Sequence, residues 1–233
     1  MAGTDPVVAP QRPRRPRISV VVPALNEARN VREVLPTLPE VHEVILVDGG
    51  SVDGTVEAAR ATLPEVVTLT QLRTGKGNAL TAGFARVTGD VVVMFDADGS
   101  ADAEEIPRFV AALLDGADLA RGSRFRPRGC TAFWADLIPV LDLPDHERVT
   151  PSGSPMLWGD GFEIETLITC RVATAGLSIT EVPSVEKARR HGRSCLRAVT
   201  DGWRVLRTLR TERARVRRSA RLDQALLERP DSA

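Results

Sequence analysis

Four short apolar runs, separated by stretches of helical spacing, constrain this chain more than any other feature. They are Ile18–Val22, Glu43–Val47, Val66–Leu69 and Val91–Phe95, rich in β-branched residues and continuous rather than alternating. The intervening segments Asn30–Leu38, Asp53–Leu63 and Gly77–Val87 are predicted helices. A fourth, Ala103–Leu114, carries Glu104 and Glu105 in its first turn, where the helix dipole favours acids. Strands alternating with helices imply a mostly parallel, doubly wound sheet. Continuous apolar strands imply that both faces of it are covered. The predicted fold class is therefore α/β, a single domain with a Rossmann-like sheet and helices on both faces. The length of 233 residues and 42% hydrophobic content suit one such core.

Beyond about residue 122 the regularity fades. Residues 124–158 are rich in Pro, Gly and Arg, and Ala132–Leu141 is their longest periodic stretch. Phe162–Ala175 has helical period, Ser178–Val182 reads as a strand, and Ser194–Arg218 reads as one long helix. The predicted organisation is a disordered, basic, Pro-rich lead over residues 1–17, a domain over 18–200, and a basic helix and tail over 201–233. The domain divides into 18–125 and 126–200.

The 31 basic and 31 acidic side chains cancel, but unevenly. Residues 1–17 carry four Arg and one Asp, and residues 203–221 carry eight Arg and one Glu. Basic ends on an acidic body argue against a nucleic-acid-binding domain, and the chain has no Tyr for base stacking. No apolar run is long enough to span a membrane, and prolines and arginines interrupt the N-terminus where a secretory signal would need a hydrophobic stretch. A cytoplasmic protein is expected. Three scattered cysteines, Cys130, Cys170 and Cys195, provide neither a disulfide framework nor a zinc site.

In open parallel sheets, ligands bind beyond the carboxyl ends of the strands. Those ends are PALNE (23–27), DGGSVDGT (48–55), GKGN (75–78) and DADGS (96–100). Asp96 and Asp98 are hard oxygen donors that suit Mg²⁺ or Mn²⁺, although an isolated Asp-x-Asp is equally a solvated acidic turn. Lys76 is one of only two lysines and stands between glycines, where a backbone and a point charge can meet a phosphate. Asp48 can accept from a ribose hydroxyl or a base N–H. The glycine fingerprint of dinucleotide folds is missing after the first strand.

These motifs, in this order and spacing, resemble the family-2 inverting glycosyltransferases of the GT-A fold over about residues 18–125. The later stretches Trp158–Thr166 and Glu181–Gly192 resemble the branch that contains polyprenyl-phosphate mannosyl- and glucosyltransferases. The resemblance implies transfer of a sugar from a UDP- or GDP-sugar to a phosphate or hydroxyl acceptor, polyprenyl phosphate among them. It implies that Pro23, Ala24, Glu27, Asp48, Lys76 and Asp96 frame the donor, with Asp96 and Asp98 on the metal. It places Asp160, Glu163 and Glu165 near the acceptor, with Asp160 and then Glu163 as the general base for a hydroxyl. Arg124, Arg190 and His191 join Glu165 as acceptor contacts. The stretch after Phe125 is shorter than in that branch, which cuts down the acceptor half. A nucleotide-binding homologue without activity, serving as a scaffold, is the alternative. A haloacid-dehalogenase-type phosphatase would share Asp-x-Asp-Gly, but residues 99–159 contain no lysine for it.

Along the C-terminal helix, Val199, Trp203, Leu206 and Leu209 fall near one face among arginines. Such a helix can lie on an anionic membrane surface. The shortness of the apolar face favours instead a helix that docks on the domain through Trp203 and Leu206.

Overall fold

The computed structural model describes residues 12–122, 130–148, 156–185 and 187–227, with the side chains of the last helix described through residue 218. Among the described residues, seven strands form one sheet in the order β3-β2-β1-β4-β6-β5-β7. The first four are β1 (Ile18–Ala24), β2 (Glu43–Asp48), β3 (Val67–Thr70) and β4 (Val91–Met94), all parallel. β5 (Leu119–Gly122) is parallel to β7 (Ile179–Val182), and β6 (Thr131–Trp134) runs antiparallel between β4 and β5. Val20 to Val22, Ile45 to Val47 and Val91 to Val93 are fully buried, as continuous apolar strands require.

The helices follow their apolar stripes. α1 (Ala28–Val34), α2 (Thr55–Thr62) and α3 (Lys76–Phe84) connect the first four strands. α4 (Ile106–Leu114) buries Ile106, Phe109, Val110 and Leu113, spaced i, i+3, i+4, i+7. Each such side chain contributes about 1.5–3 kcal/mol by leaving water. α5 is Ile164–Thr174 and α6 is Ala198–Leu227.

Three expectations change. The periodic stretch Ala132–Leu141 is not one element: its first residues belong to β6, where Phe133 and Trp134 pair with Val92 and Val91 of β4, and a 3-10 turn follows at Ala135–Leu137. β5, only four residues long, gave too short a pattern to be recognised. Residues 12–17 of the supposed disordered lead are part of the fold. Arg12 lies 5.0 Å over the Trp134 ring and pairs with Asp118 at 2.6 Å and Asp136 at 3.2 Å. No helix among the described residues is long and apolar enough to cross a membrane.

Candidate functional site

The carboxyl ends of β1, β2 and β4 and the start of α3 open onto one cleft of about 530 Å³. Pro23, Ala24, Glu27, Lys76, Asp96 and Asp98 all lie on its wall. The loop before α6 and the first turns of α6 close the opposite side with Arg189, Cys195, Arg197, Thr200, Asp201 and Arg204.

The motif around residue 50 contributes Gly49 to this wall and otherwise positions it. Asp48, expected at a ribose hydroxyl or a base N–H, is buried, and its carboxylate accepts from the backbone N–H groups of Gly50 and Ser51. The Ser51 hydroxyl accepts from the Asn26 N–H, and the Asn26 side chain accepts from the Val52 N–H. Asn26 itself is left-handed, with φ 55°, a conformation that asparagine tolerates. Asp53 accepts from the Ala28 N–H and the Thr55 hydroxyl, while the Thr55 oxygen accepts from the Glu27 N–H. Burial would raise the Asp53 pKa, but these hydrogen bonds hold it low. The clasp fixes the start of α1 and aims Glu27 into the cleft.

Two internal cations balance the acids. The Lys76 ammonium contacts both oxygens of Asp96, at 2.7 and 3.0 Å, and Glu165 at 2.7 Å. Burial would lower its pKa, but the charges of Asp96 and Glu165 outweigh that and raise it, so Lys76 stays charged. Arg189 bridges Glu27 and Asp98, the latter at 3.2 Å. Its approach is set by backbone bonds from Lys187 N–H to Ser100 C=O and from Arg190 N–H to Asp98 C=O.

Arg190 and His191, expected at the acceptor, instead pair with Glu33 on α1 at 3.2 and 2.7 Å, outside the cleft. Those hydrogen bonds, His191's first, hold the Glu33 carboxyl low. Arg189 was overlooked although it adjoins both, because its partners lie far away in sequence. Arg124 falls outside the described residues.

Asp160 and Glu163 do not present free carboxylates to the cleft. Asp160 is 2% exposed, and both of its oxygens accept from Arg73, at 2.8 and 2.9 Å. Its backbone carbonyl accepts from the Gly77 and Asn78 N–H groups at the start of α3. Arg73 also donates to the carbonyls of His146 and Arg148. Glu163 is fully buried, accepts from the Gly159 and Gly161 N–H groups and faces Arg204 at 3.1 Å. Both acids hold the 157–163 turn against α3 and α6. The glycines around Lys76 serve the same joint: a Cβ at Gly75 or Gly77 would overlap the carbonyl oxygens of Asp160 or Gly159.

The cysteines offer a test of this geometry. Cys195 is exposed on the cleft wall, whereas Cys130 is buried, its thiol pushed up to about 12 by burial. Under native conditions a thiol reagent should label Cys195 first and Cys130 only on unfolding, as read by mass spectrometry. A ligand filling the cleft should slow the Cys195 reaction; an unchanged rate would place the ligand elsewhere.

The match to known proteins agrees with this architecture. The model of glycosyl transferase family 2 matches residues 19–163. Uncharacterized glycosyltransferases of Mycobacterium tuberculosis and Mycobacterium bovis are each 30% identical over 216 residues, covering 81% of this chain and 97% of the relative. Glucosyl-3-phosphoglycerate synthase from Mycobacterium tuberculosis, solved with Mn²⁺, UDP-glucose and phosphoglyceric acid, aligns with a TM-score of 0.65. It is 24% identical and the match covers 84% of this chain and 79% of that one. The same enzyme with Mg²⁺ and UDP gives 0.65 at 23% identity, over 84% and 79%. These structures share the GT-A fold. Taken with the strand-end motifs and the cleft they build, the family match sets the phosphatase reading aside: this chain is a glycosyltransferase and belongs to family 2.

Proposed function

We propose that the chain moves a sugar, with inversion, from a nucleotide-diphosphate sugar to an anionic, phosphate-bearing acceptor in a divalent-metal-dependent reaction. The observation that carries this reading is the convergence of Glu27, Lys76, Asp96, Asp98 and Arg189 on one cleft at the carboxyl ends of the strands. A solved enzyme of the same fold, which binds UDP-glucose with Mn²⁺ and UDP with Mg²⁺, supports it.

Asp96 and Asp98 fit such a cation. Both are hard donors on the cleft wall, partly open to it. Among the described residues no group of three His, Cys, Asp or Glu is placed to hold an ion, so the pair would share it with the donor's phosphates, as Mg²⁺ usually requires. When bound, the cation neutralises charge developing on the departing diphosphate.

The protein's own groups do the rest. Glu27, Pro23 and Ala24 frame the nucleotide, and the charged Lys76 lies within reach of its phosphates. Arg197 stands on the α6 side of the cleft beside Arg204 and Arg189, which pair with Glu163 and with Glu27 and Asp98, so that side carries positive charge. An anionic acceptor suits that side and needs no base to remove a proton, which agrees with Asp160 and Glu163 being committed to ion pairs. Polyprenyl phosphate and a soluble phosphate ester both meet the requirement.

Calorimetry with UDP-glucose and GDP-mannose, with and without Mn²⁺, tests the proposal. The unmodified chain should bind one donor only with the metal. Asp96→Ala with Asp98→Ala should weaken that binding on the order of a hundredfold, as expected for two charge-assisted contacts. Failure to bind either donor in either condition would move the reading to the non-catalytic scaffold.

A further inference from the structure

α6 docks on the body, but not through Trp203 and Leu206. The face that meets the domain carries Asp201, Arg204, Val205, Thr208 and Glu212, with Thr208 and Glu212 buried. Glu212 is held there by Arg171 at 3.5 Å, and Trp158 donates to Thr208 at 3.1 Å. Trp203 is 64% exposed and Leu206 49%, and Val199 points outward with them. The expectation that Trp203 and Leu206 anchor the helix is therefore overturned.

We infer that this outward face of α6 docks on an anionic lipid bilayer. At 100° per residue, Val199, Trp203 and Leu206 share one side of the helix, and Arg210, Arg213 and Arg217 continue the same side toward its C-terminal end. All six are exposed. The one acid among the eight arginines of 203–221, Glu212, faces inward, so the outward charge is of a single sign. Apolar side chains with a Trp beside a row of arginines match the boundary between headgroups and acyl chains. A nucleic acid would use the arginines but leave Val199 and Leu206 without purpose.

The position of the surface adds a consequence. On the other side of the same helical turns, Arg197, Thr200, Asp201 and Arg204 line the cleft. A bilayer on the outer face therefore lies one helix diameter from the acceptor side. That the bilayer presents a phosphate-bearing lipid to the cleft rests on the transferase reading; the docking itself does not.

The test uses the full chain with phosphatidylcholine vesicles, with and without phosphatidylglycerol. Trp134 is buried and Trp158 half-buried, so an emission shift on vesicle addition reports Trp203. The expected results are a blue shift, quenching by brominated lipids and co-sedimentation, all confined to anionic vesicles and reversed by salt. Arg210→Gln, Arg213→Gln and Arg217→Gln together should weaken that binding about a hundredfold, at a comparable contribution from each arginine near the surface. Trp203→Ala with Leu206→Ala, which removes the fluorescent reporter and is therefore read by co-sedimentation, should weaken binding to anionic vesicles while leaving circular dichroism and donor calorimetry unchanged. Equal binding to neutral and anionic vesicles, a preference for duplex nucleic acid over vesicles, or burial of Trp203 by self-association would each overturn the inference. Quenching in the unmodified chain decides the matter even if a variant fails to fold. Loss of donor binding in the unmodified chain would defeat the transferase reading and leave the docking intact.

Discussion

Replacing Asp160 by alanine is expected to cost about 3–5 kcal/mol of stability, because it strands a buried guanidinium. Arg73 is 7% exposed, and the two oxygens of Asp160 take its Nε and one terminal nitrogen. With the carboxylate gone, the carbonyls of His146 and Arg148 cannot balance the charge. The damage should spread, since the same residue ties the 157–161 turn to α3. Urea unfolding measures the loss directly from the shift in midpoint. The conservative variant separates the two roles open to an acid here. Asp160→Asn keeps the shape but not the charge. If Asp160 serves as the clamp described above, that variant unfolds at lower urea. If it were a base, the variant would keep its midpoint and lose only turnover. An unchanged midpoint would return Asp160 to the chemistry.

The difference between what was legible and what was not follows the range of the interactions. The strands were legible because their signal is local: Val20 to Val22 and Val91 to Val93 need only be apolar and β-branched to lie inside a covered sheet. Strand-end residues were legible too, since topology alone brings Glu27, Lys76, Asp96 and Asp98 to one edge. Pairings between distant side chains were not. Arg73 and Asp160 are 87 positions apart, and Arg189 and Glu27 are 162 apart. No local pattern distinguishes an acid that meets a substrate from one that meets such an arginine. The local bonds of Asp48 were not legible for a related reason. Its own turn, two residues on, competes for the carboxylate through hydrogen bonds from backbone N–H groups at 3.0 Å. Trp203 and Leu206 were misread because helical period shows which residues share a face, not which face meets the body. Thr208 and Glu212, both polar, occupy the buried side only because Trp158 and Arg171 stand opposite them.

Gly77→Ala is expected to destabilise the protein by about 3 kcal/mol, at the upper end for overpacking, although alanine is ordinarily the better helix former. Gly77 lies in the first turn of α3 and its φ is not positive, so its backbone would accept alanine without strain. The obstacle is wholly steric. A Cβ there would overlap the Gly159 carbonyl oxygen and approach the Asp160 carbonyl carbon at 2.8 Å. Neither atom is the free end of a side chain, so the turn itself must retreat. That retreat would break the 2.6 Å bond from the Gly77 N–H to the Asp160 carbonyl and disturb the Arg73 clamp behind it. Because Lys76 is the adjacent residue, donor affinity should fall along with stability. Gly202→Ala on α6 is the matched control. It is also helical without positive φ, and a Cβ there meets nothing within 4 Å. There the propensity term acts alone and should raise stability by about 0.5–1 kcal/mol. Urea midpoints of the two variants should therefore move in opposite directions. Movement in the same direction would mean that the close approach of the 159–161 turn to α3 is not what requires glycine at position 77.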